Sequence, residues 1–119
     1  MEEQALAKLG KILTNVRVNV VGSIANVDFF HIGRRRGCVE LGAGLGNVSI
    51  YSLVSDDTNG PSGGTYQQAY DAAGNALQIA TGGTAGIYAL PDGVQDLQFV
   101  KLVSATSSDA DAKVFLKDY

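Results

Sequence analysis

The residues of this chain that could do covalent chemistry are few and poorly spaced for it. His31 is the single histidine, and it follows Phe29 and Phe30 in an apolar segment. Period-two alternation along a strand puts Asp28 and His31 on opposite faces, so we expect a packed or hydrogen-bonded histidine and not a catalytic one. No serine stands in the Gly-x-Ser-x-Gly setting of a hydrolase nucleophile. The sequence therefore predicts a protein that is not an enzyme.

A glycine-rich segment from Val39 to Gly46 offers the strongest alternative to that prediction. Its order, Glu40-Leu41-Gly42-Ala43-Gly44-Leu45-Gly46, resembles the loop with which Rossmann-like methyltransferases hold S-adenosylmethionine. Such a loop needs a helix after it, because the N-terminus of that helix faces the ligand. Residues 47–51 are instead rich in β-branched residues and poor in helix formers. We therefore expect a strand–turn–strand here, with no cofactor and no metal.

The elements that must carry any site are short strands. From Thr14, Val16, Val18 and Val20 alternate with polar residues, which indicates a half-buried strand. From Asn47 to Asp118, apolar bursts of about five or six residues are separated by Gly, Asn, Asp and Ser clusters. This spacing predicts an all-β protein, a single antiparallel β-sandwich of about eight strands over residues 14–119. The strand order is left open between jelly-roll and immunoglobulin-like.

Five details of this sandwich can be predicted. The burst around Val48–Val54 is apolar on both faces, so it should be a central strand. The segment Ser55–Thr65, rich in Asp, Asn, Gly and Pro, should be a long exposed loop, and Asp71–Asn75 a compact hairpin connection. In the last strand, near Ala112–Leu116, Val114 and Leu116 should lie on one face. Cys38 is most simply a small buried apolar residue.

Residues 1–13 differ from everything after them and form a predicted N-terminal arm. Leu6, Leu9 and Leu13 are spaced three and four apart, Ile12 adds to the apolar side, and Gly10 weakens a helix. The sequence is thus compatible with a short helix or an extended arm. An arm of this kind often docks a small domain on a neighbour, and the alternative is a frayed terminus.

The triplet Arg34-Arg35-Arg36 concentrates a third of the chain's nine basic residues between two apolar bursts. We predict a hairpin tip whose guanidinium groups pair with carboxylates of a protein partner. A solvated turn is the alternative, and phosphate binding is less favoured because no basic or aromatic residues flank the triplet.

Four tyrosines, Tyr51, Tyr66, Tyr70 and Tyr88, are compatible with two interpretations. They could form a face that binds carbohydrate or a protein, since tyrosine combines apolar area with a polar tip. Ordinary filling of a sheet is favoured over this, and the absence of tryptophan weakens the case for sugar binding.

Composition narrows the class of protein further. The 119 residues are 45% hydrophobic and only 18% charged, which favours a domain packed against partners. A net charge of −3 provides no basic field for nucleic acid or an anionic membrane. One cysteine allows neither an intrachain disulfide nor a cysteine metal cluster. The acidic start and the lack of an 18-residue apolar run predict a soluble protein made in a reducing compartment.

The order of elements over residues 46–118 resembles the small β-sandwich virion proteins of tailed bacteriophages. The segments that carry the resemblance are the strand at 46–52, the turn and strand start Asp71-Ala72-Ala73-Gly74-Asn75-Ala76-Leu77, and Gly86-Ile87-Tyr88-Ala89-Leu90-Pro91-Asp92-Gly93. A Ser/Thr-rich turn at 104–108 and a last edge strand follow. The arm and the arginine triplet depart from this pattern.

This resemblance implies a capsid decoration or cement protein on the virion surface, made in the host cytoplasm. Its partners would be the major capsid protein and other copies of itself, as a dimer or trimer, with no small-molecule substrate and no catalytic residues. The alternative is a tail or fibre module that binds host carbohydrate through the tyrosines and the 55–65 segment. For a decoration protein, we expect the partner-binding residues in the two features that depart from the pattern, the arm and the arginine triplet: Leu6, Leu9, Ile12, Leu13, Arg34, Arg35 and Arg36.

Overall fold

The computed structural model describes residues 12–57, 60–104 and 111–117. Within these residues the chain forms nine β-strands and one short 3₁₀ turn, Val94–Asp96. The strands are β1 (Ile12–Asn19), β2 (Phe29–His31), β3 (Arg36–Leu41), β4 (Asn47–Asp57), β5 (Gly60–Gln68), β6 (Gln78–Ala80), β7 (Gly86–Ala89), β8 (Phe99–Ser104) and β9 (Asp111–Lys117).

The strands form two antiparallel sheets that pack as a sandwich. Sheet A has the order β1-β9-β3-β7, and sheet B has the order β2-β8-β4-β5 with β6 also paired to β4. The pairs are nested along the chain: β1 with β9, β2 with β8, β3 with β7 and β4 with β5. Nested pairs distributed alternately over two sheets define a jelly roll. The predicted all-β sandwich is confirmed, and the strand order is that of a jelly roll.

The core lies between the sheets and follows from alternation along each strand. In sheet A, Val114 of β9 stands between Val16 of β1 and Val39 of β3. In sheet B, Leu102 of β8 stands opposite Ile50 of β4, and both are fully buried. Each fully buried aliphatic side chain contributes about 1.5–3 kcal/mol relative to an exposed one. These buried rows fix which face of each strand is left for contacts with other molecules.

Several local predictions are confirmed. Strand β4 is central, with β8 on one side and β5 and β6 on the other. The glycine-rich segment is a strand–turn–strand: β3 ends at Leu41, and the turn that follows leads directly into β4. In the Asp71–Asn75 connection the backbone N–H of Asp71 donates to the carbonyl of Asn75 at 2.8 Å. In the last strand, Val114 and Leu116 both face the core.

The predicted long loop at Ser55–Thr65 is wrong, because β4 continues to Asp57 and β5 begins at Gly60. Strand pairing is a property of the backbone, so polar and small residues can extend a hairpin that the side-chain pattern does not reveal. The β5 strand also bends: the hydroxyl of Tyr66 donates to the carbonyl of Pro61 at 2.9 Å. Five extended residues would span about 17 Å, more than a tyrosine side chain reaches.

The boundary of the predicted arm also differs from the structure in part. Strand β1 begins at Ile12, so Ile12 and Leu13 belong to sheet A. The other arm residues, including Leu6 and Leu9, lie outside the described residues. The prediction of an arm over 1–11 therefore stays a prediction.

Candidate docking surface

The arginine triplet lies where the chain crosses from one sheet to the other. Strand β2, before it, pairs with β8 in sheet B, and β3, after it, pairs with β9 and β7 in sheet A. The predicted hairpin tip is therefore wrong, because spacing along the chain does not specify which strands become partners. Gly33 and Arg34 make the turn with φ values of 56° and 65°.

The three arginines have different roles at this crossing. Half-buried Arg35 donates from Nε to the carbonyl of Ile32 at 2.9 Å and from Nη2 to that of His31 at 2.6 Å. Its guanidinium therefore holds the turn closed. Arg36 is exposed and donates from Nε to Oε1 of Gln95 at 2.6 Å. Arg34 is exposed at the apex of the turn.

Strand register brings this triplet next to the point where the N-terminal segment enters the sheet. Ile12 pairs with Lys117, and Lys117 pairs with Arg36. Adjacent strands are about 4.8 Å apart, so the Cα atoms of Ile12 and Arg36 are separated by about 10 Å. The described end of the predicted arm, at Ile12, and the triplet therefore lie close together at one end of sheet A. We call Arg34, Arg35, Arg36 and Lys117 the basic end.

A cleft of about 300 Å³ opens beside the basic end. Arg36 and Lys117 line one part of it, and the segment from Ala89 to Asp92 lines another. Two cationic side chains against one carboxylate make its charge positive on balance. Arginine and lysine at such a rim can form charge-assisted hydrogen bonds with a carboxylate of another protein.

Gly37 allows the strands under this cleft to approach each other. A Cβ atom at this position would lie 2.0 Å from the carbonyl oxygen of Phe115, on the neighbouring strand β9. The carbonyl of Gly37 in turn accepts a hydrogen bond from the N–H of Leu90 at 3.0 Å. One glycine thus fixes both the β3–β9 contact and the position of the opposite wall.

The histidine is hydrogen-bonded, as predicted. Nε2 of His31 lies 3.1 Å from Oε1 of Gln98, and its ring centroid is 4.7 Å from that of Phe99. The described contacts of His31 are therefore those of a side chain held on the surface of sheet B.

The four tyrosines do not lie on one face. Tyr88 belongs to sheet A, and its hydroxyl donates to the carbonyl of Thr84 at 2.5 Å. Tyr66 belongs to sheet B and is buried, while Tyr51 is half-buried on β4 and Tyr70 is 62% exposed after β5. The structure thus supports the interpretation of Tyr66 and Tyr88 as structural side chains.

The sequence did not reveal the outer face of sheet A, which the register assembles from four strands. Its central residues form two adjacent rows, and every side chain in them is half-buried or exposed. The half-buried Cys38 lies in one row, so its predicted burial is only partial. The rows are Asn15–Phe115–Cys38–Ala89 and Arg17–Lys113–Glu40–Ile87. Alternation indicates which residues face outward, but only strand pairing shows which of them become neighbours.

The outer face of sheet B differs because the chain covers part of it. Lys101 is 5% exposed, and its ammonium donates to the carbonyl of Ile24 at 2.8 Å while lying 4.6 Å from the ring centroid of Tyr66. Burial lowers the pKa of Lys101, and the nearby charge of Asp28 partly offsets this. The connection between β1 and β2 is thus tied down over sheet B.

Comparisons with known proteins add no identity to this geometry. No family model, no curated protein and no solved structure matches the chain. Within the ranges that the structure describes, no helix has the length and apolarity needed to cross a membrane. The same ranges hold no cluster of three or more His, Cys, Asp or Glu side chains placed to bind a metal ion. The basic end has to be interpreted from its own chemistry.

Proposed function

We propose that this protein is a bacteriophage virion accessory protein of the capsid decoration type, which binds the major capsid protein through its basic end. The observation that carries the proposal is the meeting of Ile12, Lys117 and Arg36 in one register row. It places the start of β1, and with it the point of entry of residues 1–11, beside the arginine triplet. A single contact on a capsid subunit could then engage both.

The fold and the sequence pattern support the same proposal. Jelly rolls are used by viral capsid and lectin domains, and this is an analogy at the level of fold. The resemblance to phage virion sandwiches over residues 46–118 points to the first of these classes. The lectin-like alternative, a tail or fibre module, has less support because Tyr66 is buried and the Tyr88 hydroxyl is hydrogen-bonded to Thr84, which leaves two of the four tyrosines for it.

The energetics of an exposed basic end require many contacts at once. An exposed ion pair contributes about 0.2–1 kcal/mol, so Arg34, Arg36 and Lys117 together would give only a weak attachment. Binding at several sites on a repetitive shell multiplies such weak affinities. A decoration protein would meet this condition, because a shell would offer the same carboxylate contact at many equivalent positions.

The proposal is tested by measuring this chain in purified phage particles. Quantitative mass spectrometry should find it at a fixed copy number relative to the major capsid protein. Absence from the particles, or a trace without fixed stoichiometry, would contradict the proposal.

The role of the basic end is tested with Arg34→Gln/Arg36→Gln in the full chain. We expect the double variant to lose at least tenfold in co-sedimentation with shells assembled from that capsid protein. Gln67→Glu/Gln78→Glu is the matched control, because it changes the net charge by the same amount on exposed positions of sheet B. Equal losses for both double variants would assign the effect to net charge and not to the basic end.

The N-terminal segment is tested separately by deleting residues 2–11. This deletion ends before β1, whereas removal of residues 1–13 would cut into the strand. We expect the truncated chain to fold and to bind shells more weakly. Unchanged binding would remove the segment from the proposed contact.

A further inference from the structure

The outer face of sheet A combines apolar and charged side chains in an arrangement that is complementary to itself. One row presents Phe115, half-buried Cys38 and exposed Ala89. The other presents Lys113 and Glu40 beside Ile87, which is 65% exposed. Exposed and half-exposed apolar side chains that adjoin one another on one face can form a contact surface.

The opposite charges stand at the centre of this face. Lys113 is on β9 and Glu40 on β3, the two central strands, and they are register partners. Lys113 places its ammonium 5.6 Å from the ring centroid of Phe115, and the Glu40 carboxylate forms no hydrogen bond or ion pair with the described residues. Within the described ranges, the Lys113 ammonium and the Glu40 carboxylate are therefore not paired with an opposite charge, and a partner that carries the reverse arrangement could pair with both.

We propose that a second copy of this chain packs face to face on the outer face of sheet A. The two copies would be related by a twofold axis that lies in the interface, parallel to the strands and between β9 and β3. This operation exchanges β9 with β3 and keeps the rows in place, so Lys113 of each copy faces Glu40 of the other. Phe115 faces Cys38 in the same way, and each contact occurs twice, as in any twofold interface.

The size of the face indicates a weak dimer. Four strands about 4.8 Å apart, and about six residues of each, cover about 20 Å by 20 Å. Two such faces bury about 800 Å², below the ~1,200–2,000 Å² of a stable interface. The dimer should therefore form at high protein concentration, or where copies are already held close together. This inference uses residues outside the basic end and does not depend on capsid binding.

Sedimentation velocity over a range of concentrations tests the dimer in the full chain. Wild type should self-associate reversibly, and Lys113→Glu and Glu40→Lys should each weaken self-association at least tenfold. An equimolar mixture of the two variants should recover it, because the two central glutamates of one chain then face the two central lysines of the other. In the mixture, each chain still carries two like charges side by side, so any loss of stability in the single variants persists. Recovered self-association therefore cannot come from restored folding.

Gln67→Glu/Gln78→Glu changes the net charge as much as Lys113→Glu does, and it should associate like wild type. A short bis-maleimide adds a second readout, since the two Cys38 thiols would flank the axis. It should link wild type and the mixture but not the single variants.

Each remaining outcome overturns the inference. A monomer at all concentrations excludes the dimer. A dimer insensitive to both substitutions, or a mixture that does not recover association, places the contact elsewhere. Association that appears only after deletion of residues 2–11 would assign the face to the chain's own N-terminal segment.

Discussion

The outer faces of the two sheets differ in how far the rest of the chain covers them. On sheet B, the connection between β1 and β2 is tied down through the Lys101 ammonium, which also lies against the Tyr66 ring. On sheet A, Lys113 occupies the equivalent kind of position on a central strand, and its described contact is with Phe115. One face is thus partly covered by the chain itself, whereas the other exposes charged side chains that the proposed second copy would contact.

The largest expected effect concerns the backbone of sheet A. Gly37→Ala would place a methyl group 2.0 Å from the carbonyl oxygen of Phe115, so β3 and β9 would have to separate. We expect a loss of about 3 kcal/mol in the free energy of unfolding, measured by urea titration. Gly42→Ala is the matched control, because its Cβ would meet nothing within 4 Å. Similar losses at both glycines would mean that the two strands are not closely apposed.

A smaller effect compares the two faces directly. Lys101→Met keeps most of the side-chain volume but removes a charged hydrogen bond to Ile24, and we expect it to cost about 2 kcal/mol in the free energy of unfolding. Lys113→Met removes a lysine from the outer face of sheet A and should change stability by less than about 0.5 kcal/mol in dilute solution. If the two variants lost the same stability, the difference between the faces would disappear.

The smallest expected effect is a dependence on pH. The pKa of Lys101 is lowered in the fold, mainly by burial. Between this lowered pKa and the unfolded value of about 10.4, the unfolded chain binds more protons, so stability rises with pH. The stability difference between wild type and Lys101→Met should therefore grow as the pH approaches 10.4. Urea titrations of both proteins along the alkaline range measure it, and a constant difference would argue against burial of the ammonium.

Much of the fold could be predicted from the sequence, because alternation and turn chemistry are local. The Asp71–Asn75 turn is an example: the Asp71 carboxylate accepts hydrogen bonds from the N–H groups of Ala73 and Asn75, both at 2.9 Å. These hydrogen bonds lower the pKa of Asp71, and the one from the N–H of Asn75 contributes most. Burial acts in the opposite direction. The residues that make this turn are close in sequence, so their types alone indicate it.

The candidate surfaces could be predicted only in part. Arg34–Arg36 stand out by charge, but their place between two sheets depends on distant strands and is not encoded in spacing. For the same reason, the row from Arg17 to Ile87 could not be predicted, because its members come from four strands far apart in sequence. The hairpin over residues 55–65 was not predicted, because it forms through pairing of the two backbones and the side-chain pattern does not indicate it.

The nested strand pairs also set an order in which the molecule can form. The innermost pair, β4 with β5, closes a very short connection, whereas β1 and β9 are about as far apart in sequence as the described chain allows. Contacts between residues far apart in sequence cost more chain entropy to form. We therefore expect strand pairing to begin at the inner hairpin and to continue outward. Pulse-labelled hydrogen exchange should find amides of β4 and β5 protected before those of β1 and β9. The basic end would then be the last part of the molecule to assemble, and only a completely folded chain would present it.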